Sequence, residues 1–182
     1  MKVIIINGKG GAGKDLFVEF CQNFYDPVYS FSTVYDIKLL ARFAGWDEQK
    51  DERGRRLLSD LKEVMTNYND FPFTKTVNKV KAAMKLHNTF YSNENEPIIF
   101  IHCREPKEIQ RLVDYFNAKT LLIIRKDIED KHYGNESDDN VMDYKYDHIC
   151  YNNGNKEDLK NTAEHFMFVI TNETWESKLG ED

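Results

Sequence analysis

A three-layer α/β domain built on a five-stranded parallel sheet is the fold class this sequence predicts, and three observations carry it. A short, mostly β-branched run, Val3 to Ile6, meets a cluster of glycines and then a helical pattern. Four further apolar runs of strand length follow along the chain. Helix-like stretches separate them, and strands alternating with helices pack as a parallel sheet because each parallel connection needs a long crossover.

Val3 to Ile6 reads as a strand buried on both faces, and Ala12 to Phe24 as a helix with Leu16, Phe17, Phe20 and Phe24 on one side. The remaining buried-strand candidates are Val28 to Phe31, Ile98 to Ile101, Leu121 to Ile124 and His148 to Cys150. Between Ser32 and Glu96 the pattern is helical throughout, with one stripe of Leu57, Leu58, Leu61, Val64, Met65 and Tyr68 and another of Val77, Val80 and Met84. This interval is an insert between sheet strands. The 182 residues are therefore expected to form one domain, with an acceptor-binding insert at about 33–96 and a short lid at about 126–146. Gly134 to Asn140 inside that lid has the composition of a mobile loop.

The chain carries 25 basic and 31 acidic side chains, a formal charge of -6. It has no overall positive field for nucleic acid or an anionic membrane, so anionic ligands must be bound locally. Between Lys38 and Lys85 the balance reverses, with 11 basic residues against 7 acidic ones, which makes the insert the cationic part of an acidic protein. Cys21, Cys103 and Cys150 are odd in number and unlike zinc ligands in spacing. They read as small buried fillers in a reducing compartment. The apolar stretch at the N-terminus is too short for a signal peptide or a span. The expectation is a cytoplasmic protein, a monomer or homodimer, whose partner is a small molecule.

Gly8-Lys9-Gly10-Gly11-Ala12-Gly13-Lys14 fits G-x-x-x-x-G-K, the P-loop pattern, and sits between a buried strand and a helix as that mechanism demands. Glycines let consecutive N–H groups curl around phosphate oxygens, and the following helix directs its positive dipole end at the same anion. Lys14 supplies the mobile charge for the β- and γ-phosphates. Asp15 stands where a Ser or Thr would ligate Mg²⁺, and its carboxylate holds the ion directly or through water.

With Asp15 included, G-K-x-x-x-G-K-D at Gly8 to Asp15 resembles the loop of bacteriophage-type deoxynucleoside monophosphate kinases and of animal-type phosphomevalonate kinases. Asp36-Ile37-Lys38 after the second strand and His102-Cys103-Arg104-Glu105-Pro106 after the third extend the resemblance. It implies the strand order 2-3-1-4-5, ATP and Mg²⁺ as cofactors, and an acceptor that already carries a phosphate. In those families the third strand ends in an acid followed two positions later by arginine. Here Arg104 keeps the arginine, and His102 takes the place of the acid. His102 is then either a neutral partner of a metal-bound water or a satisfied polar group at a strand end, and Glu105 or Asp36 supplies the missing carboxylate. Asp147 to Gly154 is similar to the closing strand and turn of nucleoside monophosphate kinase-like proteins, where the following loop touches adenine through its backbone.

The resemblance assigns catalysis to Lys14, Asp15, Arg104 and Arg125, and the metal to Asp15 and Asp36. Acceptor binding falls to Asp36, Lys38, Arg42, Arg53, Arg56 and Arg104, since guanidinium forks match phosphate oxygens. Lids of this class carry arginines, whereas none follows Arg125 here, which leaves Arg125, Lys126 or Lys131 for that task. The leading expectation is ATP-dependent phosphoryl transfer to a nucleoside monophosphate, a deoxynucleotide in particular. Phosphomevalonate is the second acceptor, and a catalytically weak ATP-binding sensor is the reading outside enzymes. Asn78-Lys79-Val80-Lys81 lacks the aspartate that reads guanine, which disfavours a GTPase switch.

Overall fold

The structure, a computed structural model, describes residues 1–49, 51–91, 95–128 and 140–179. Strand β1 (Lys2–Asn7) leads through the glycine loop into α1 (Lys14–Phe24), and β2 (Val28–Ser32) follows. The insert consists of α2 (Tyr35–Phe43), α3 (Glu52–Asn69) and α4 (Phe71–Phe90). Then come β3 (Ile98–His102), α5 (Pro106–Phe116), β4 (Lys119–Ile124), β5 (His148–Tyr151) and α6 (Lys156–Asn172).

All five strands are parallel, in the order β2-β3-β1-β4-β5. Strand β1 is central and its Val3, Ile4, Ile5 and Ile6 are fully buried. Alternation along it divides the core, because successive side chains of a strand point to opposite faces. Ile4 and Ile6 pack with Phe17 of α1 and Phe166 of α6, while Val3 and Ile5 pack with Val80 of α4 and Leu112 of α5. The result is three layers.

Two sequence expectations need correction. His148 to Cys150 is not a buried strand: β5 is an edge, and Ile149 and Tyr151 are 50% and 57% exposed. The α3 stripe is not a core stripe either, since Leu57, Val64 and Tyr68 face out, whereas Lys62 of the same helix is buried. The α4 stripe of Val77, Val80 and Met84 does lie in the core.

Local chemistry fixes the insert. Asp51 caps α3 by accepting from the Gly54 N–H at 2.7 Å. Asp70, in the left-handed conformation between α3 and α4, takes a two-pronged bond from Arg111 of α5. That pair ties the helical hairpin to the sheet layer. The tail also packs: the Ser177 hydroxyl accepts from the Val3 N–H at 2.9 Å, and the Lys178 N–H donates to the Phe116 carbonyl. Gly134 to Asp139 and Lys131 lie outside the described residues. Among the described residues, no helix is long and apolar enough to cross a membrane.

Candidate functional site

The glycine loop lies at the carboxyl end of β1, and its shape depends on two glycines. Gly8 has φ 150° and a Cβ there would stand 2.5 Å from the Ile123 carbonyl oxygen. Gly13 has φ 94° and a Cβ would stand 2.5 Å from Asn152 Nδ2. Neither position admits a side chain. Asn152, in the turn after β5, donates to the Ala12 carbonyl at 2.9 Å and so clamps the loop from the β5 side. The Lys14 ammonium donates to the Gly8 and Lys9 carbonyls, which places it over the loop.

A second clamp comes from fully buried Asn7. Its Oδ1 accepts from the Gly8 N–H at 2.7 Å, and its Nδ2 donates to the Arg104 carbonyl at 3.1 Å and to the Tyr146 hydroxyl at 2.7 Å. That hydroxyl donates onward to the Val141 carbonyl at 2.8 Å. Burial pushes the Tyr146 phenol up to about 12, against the hydrogen bond from Asn7. One amide thus joins the start of the loop, the segment after β3 and the segment that precedes β5.

The loop forms one wall of a cleft of 1020 Å³. Gly10, Gly11, Gly13, Lys14 and Asp15 line it on that side. The ends of β2 and β3 contribute Ser30, Phe31, Ser32, His102 and Arg104, and the insert contributes Tyr35, Lys38, Trp46, Arg55, Ser59, Lys62 and Lys79. Ligands of open α/β sheets sit in this place, beyond the carboxyl ends of the strands.

Lys62 and Lys79 meet carboxylates of the protein. Lys62, only 8% exposed, reaches Glu105 and Glu108 at 2.5 Å each. Burial works against its charge, but the two carboxylates outweigh burial and hold the ammonium protonated. Burial raises Glu108, which also accepts from the Cys103 thiol at 3.3 Å. Lys79 bonds Asp36 at 2.6 Å, with its ammonium 4.1 Å from the Tyr35 ring centre. Asp36 does not line the cleft.

His102 ends β3 beside the loop. Its Nε2 lies 3.2 Å from the Ser30 hydroxyl and its Nδ1 lies 3.6 Å from an Asp15 carboxylate oxygen. Burial, reinforced by Lys14, Arg104 and Lys38 and opposed by Asp15, pushes the imidazole down to about 4, so the ring is neutral at physiological pH.

The structure therefore brings Lys14, Asp15, Lys38 and Arg104 to one cleft, and it leaves others outside. Arg42 pairs with Glu48 at 2.7 Å on the surface, Arg56 faces Asp60 at 3.7 Å with its side chain 82% exposed, and Arg53 is exposed. None of the three lines the cleft, because they occupy other faces of their helices. Arg125 faces Asp127 at 3.4 Å and is likewise absent from the lining. Arg55 and Lys62 are cleft residues that the sequence reading does not propose as ligand contacts. The spacing of Arg55, Leu58, Ser59 and Lys62 is the available signal, since i, i+3, i+4 and i+7 share one helical face.

The fold is a P-loop α/β domain. No protein-family model matches the chain, and no curated protein matches it. Among solved structures, the Thermus thermophilus protein TT1252 is 16% identical over 96% of this chain and 98% of its own, with a TM-score of 0.41. Shikimate kinase from Bacteroides thetaiotaomicron is 10% identical over 93% of this chain and 98% of its own, also with a TM-score of 0.41. At that score neither superposition bears on what this chain binds.

Proposed function

We propose that this protein transfers the terminal phosphoryl of ATP to a small phosphorylated acceptor, a nucleoside monophosphate. The observation that carries the reading is the shared cleft: the phosphate-binding loop and the cationic side of the insert face one another across a single space. Its 1020 Å³ stands at the top of the range of roughly 300–1,000 Å³ typical for one small ligand, which suits two ligands meeting end to end.

The residues fit the group they are asked to hold. Loop N–H groups and the Lys14 ammonium suit the triphosphate, and the Asp15 carboxylate, 99% exposed at the rim of the cleft, offers the hard oxygen that Mg²⁺ prefers. Mg²⁺, when bound, supplies charge neutralisation on the transferring phosphoryl. Asp36 is the weaker metal candidate because Lys79 already holds its carboxylate. Lys38, Arg55 and Arg104 line the cleft and are the candidates for gripping the acceptor's phosphate. Positioning and charge carry the catalysis, and no covalent intermediate is involved.

Phe31, Tyr35 and Trp46 line the same space, and aromatic side chains at that position favour a flat base over phosphomevalonate. The test is Mg-ATP-dependent ADP release against a panel of deoxynucleoside and ribonucleoside monophosphates and phosphomevalonate, with Lys14→Ala as control. Stimulation by a monophosphate, lost in Lys14→Ala, is the expected result. ATP binding without stimulation by any acceptor would point instead to a sensor.

A further inference from the structure

We propose that Ser30 and His102 form a relay that aims the Asp15 carboxylate into the cleft, with His102 held as its Nδ1–H tautomer. The inference rests on the proposed role of Asp15 toward Mg²⁺, and it concerns how the protein orients an exposed carboxylate that lies beside His102. The Asp15 side chain is 99% exposed on the first turn of α1. An unrestrained side chain of that kind loses rotamer freedom whenever it ligates an ion.

His102 is the fixed platform next to it. Its backbone is paired on both sides, with Ile6 of β1 and Ser32 of β2, and its carbonyl accepts from the Thr33 N–H at 3.2 Å. Its side chain is 14% exposed. The two ring nitrogens face different partners: Ser30 Oγ is 3.2 Å from Nε2, and Asp15 Oδ1 is 3.6 Å from Nδ1.

The tautomer follows from what those partners are able to do. An ionised carboxylate only accepts hydrogen bonds, whereas a serine hydroxyl donates or accepts. A neutral imidazole has one N–H and one lone pair. Both neighbours are satisfied by a single arrangement: the Ser30 hydroxyl donates to Nε2, and the Nδ1–H points at Asp15. The opposite tautomer would set an imidazole lone pair against a carboxylate oxygen. At 3.6 Å the contact with Asp15 is longer than a hydrogen bond, so the relay requires the exposed carboxylate to move closer to Nδ1 when it is in use. Partners that orient a metal-ligating group in this way typically change metal affinity by about 10- to 100-fold when removed.

Two measurements test the relay. In ligand-free protein labelled with ¹⁵N-histidine, the His102 ring shifts are expected to report Nδ1–H, and Ser30→Ala to move the proton wholly or partly to Nε2. An Nε2–H ring in the wild type, or a tautomer unchanged by Ser30→Ala, would overturn the relay. The second measurement is Mn²⁺ affinity of the complex with a non-hydrolysable ATP analogue, in variants whose thermal unfolding shows them folded. His102→Asn places an amide N–H where Nδ1–H stood and is expected to bind within about threefold of wild type. His102→Gln places its amide near the Nε2 position and is expected to bind at least about tenfold more weakly. Equal affinities in the two variants would refute the orientation. Failure of the wild type to bind the analogue would count against ATP as the ligand, and the tautomer would then decide the relay alone.

Discussion

Lys62 is where the insert is fastened to the sheet, and removing its charge is the most informative single change to stability. The ammonium comes from the middle of α3 and meets Glu105 and Glu108 at the start of α5, each at 2.5 Å, with side-chain exposures of 11%, 34% and 12%. Lys62→Met keeps the aliphatic stem and deletes the cation, leaving two carboxylates facing one another beside the buried Cys103 thiol. Breaking a buried pair from one side costs about 3–5 kcal/mol, because the remaining charge loses its compensation. The partial exposure of Glu105 places the expected loss toward the lower figure. For a chain of this length that corresponds to a fall in Tm of roughly 6–12 °C. The penalty should shrink as the pH is lowered, because burial already raises Glu108 toward its protonated form. Adding Glu108→Gln to Lys62→Met should restore at least about half of the loss, since the orphaned charge rather than the missing bond dominates. Urea unfolding at pH 7 of the wild type, the two single variants and the double variant closes the cycle. A loss under about 1 kcal/mol in Lys62→Met, or a double variant less stable than that single one, would refute the account.

Three further changes separate the remaining claims. His102 is pushed from its ordinary 6.5 to about 4, so between those values the unfolded chain binds the proton and the folded one does not. Stability therefore falls as pH drops through that window, by about 2 kcal/mol between pH 7 and pH 5. His102→Gln should be flatter by that amount in urea titrations run in EDTA without nucleotide, and an unchanged slope would contradict the burial of a neutral ring. Gly13→Ala drives a Cβ against Asn152 Nδ2 at φ 94°, which predicts a loss of about 1–3 kcal/mol and weaker nucleotide binding, checked by thermal unfolding and a fluorescent ATP analogue. Arg55→Ala should raise the acceptor KM roughly tenfold or more through the lost charge-assisted bonds, while Arg53→Ala and Arg56→Ala, outside the cleft, leave it within about twofold. Equal effects from all three would mean that the insert acts through general charge.

What could be read from the sequence was local, or came from the resemblance. The path from Val3 through Gly13 into α1 follows from a β-branched run, glycine spacing and helical periodicity, each set within a dozen residues. The strand order came with the resemblance, because nothing in the spacing of the strands states that β3 lies between β1 and β2. The clamps on the loop escaped for the opposite reason. Asn7 meets Tyr146 across 139 positions and Asn152 meets Ala12 across 140, and an asparagine next to glycines reads locally as turn chemistry.

Helix α3 shows most clearly why the site was harder to read than the fold. An apolar stripe on a helix normally marks the side that packs, and on that rule Leu57, Val64 and Tyr68 should point inward. The rule assumes that the helix leans on a hydrophobic core. Here α3 turns Arg55, Leu58, Ser59 and Lys62 toward a cleft, so its inner face is largely polar and Leu57, Val64 and Tyr68 are left outside. The cations therefore divide by helical phase. Arg55 lies on the cleft side, and Arg53 and Arg56, two positions before it in one case and one after in the other, lie some 200° and 100° away around the helix. Charge counting across the insert located the cationic region but could not assign its faces. The assignment depended on Glu105 and Glu108, more than forty residues downstream, to show which side of α3 meets the sheet.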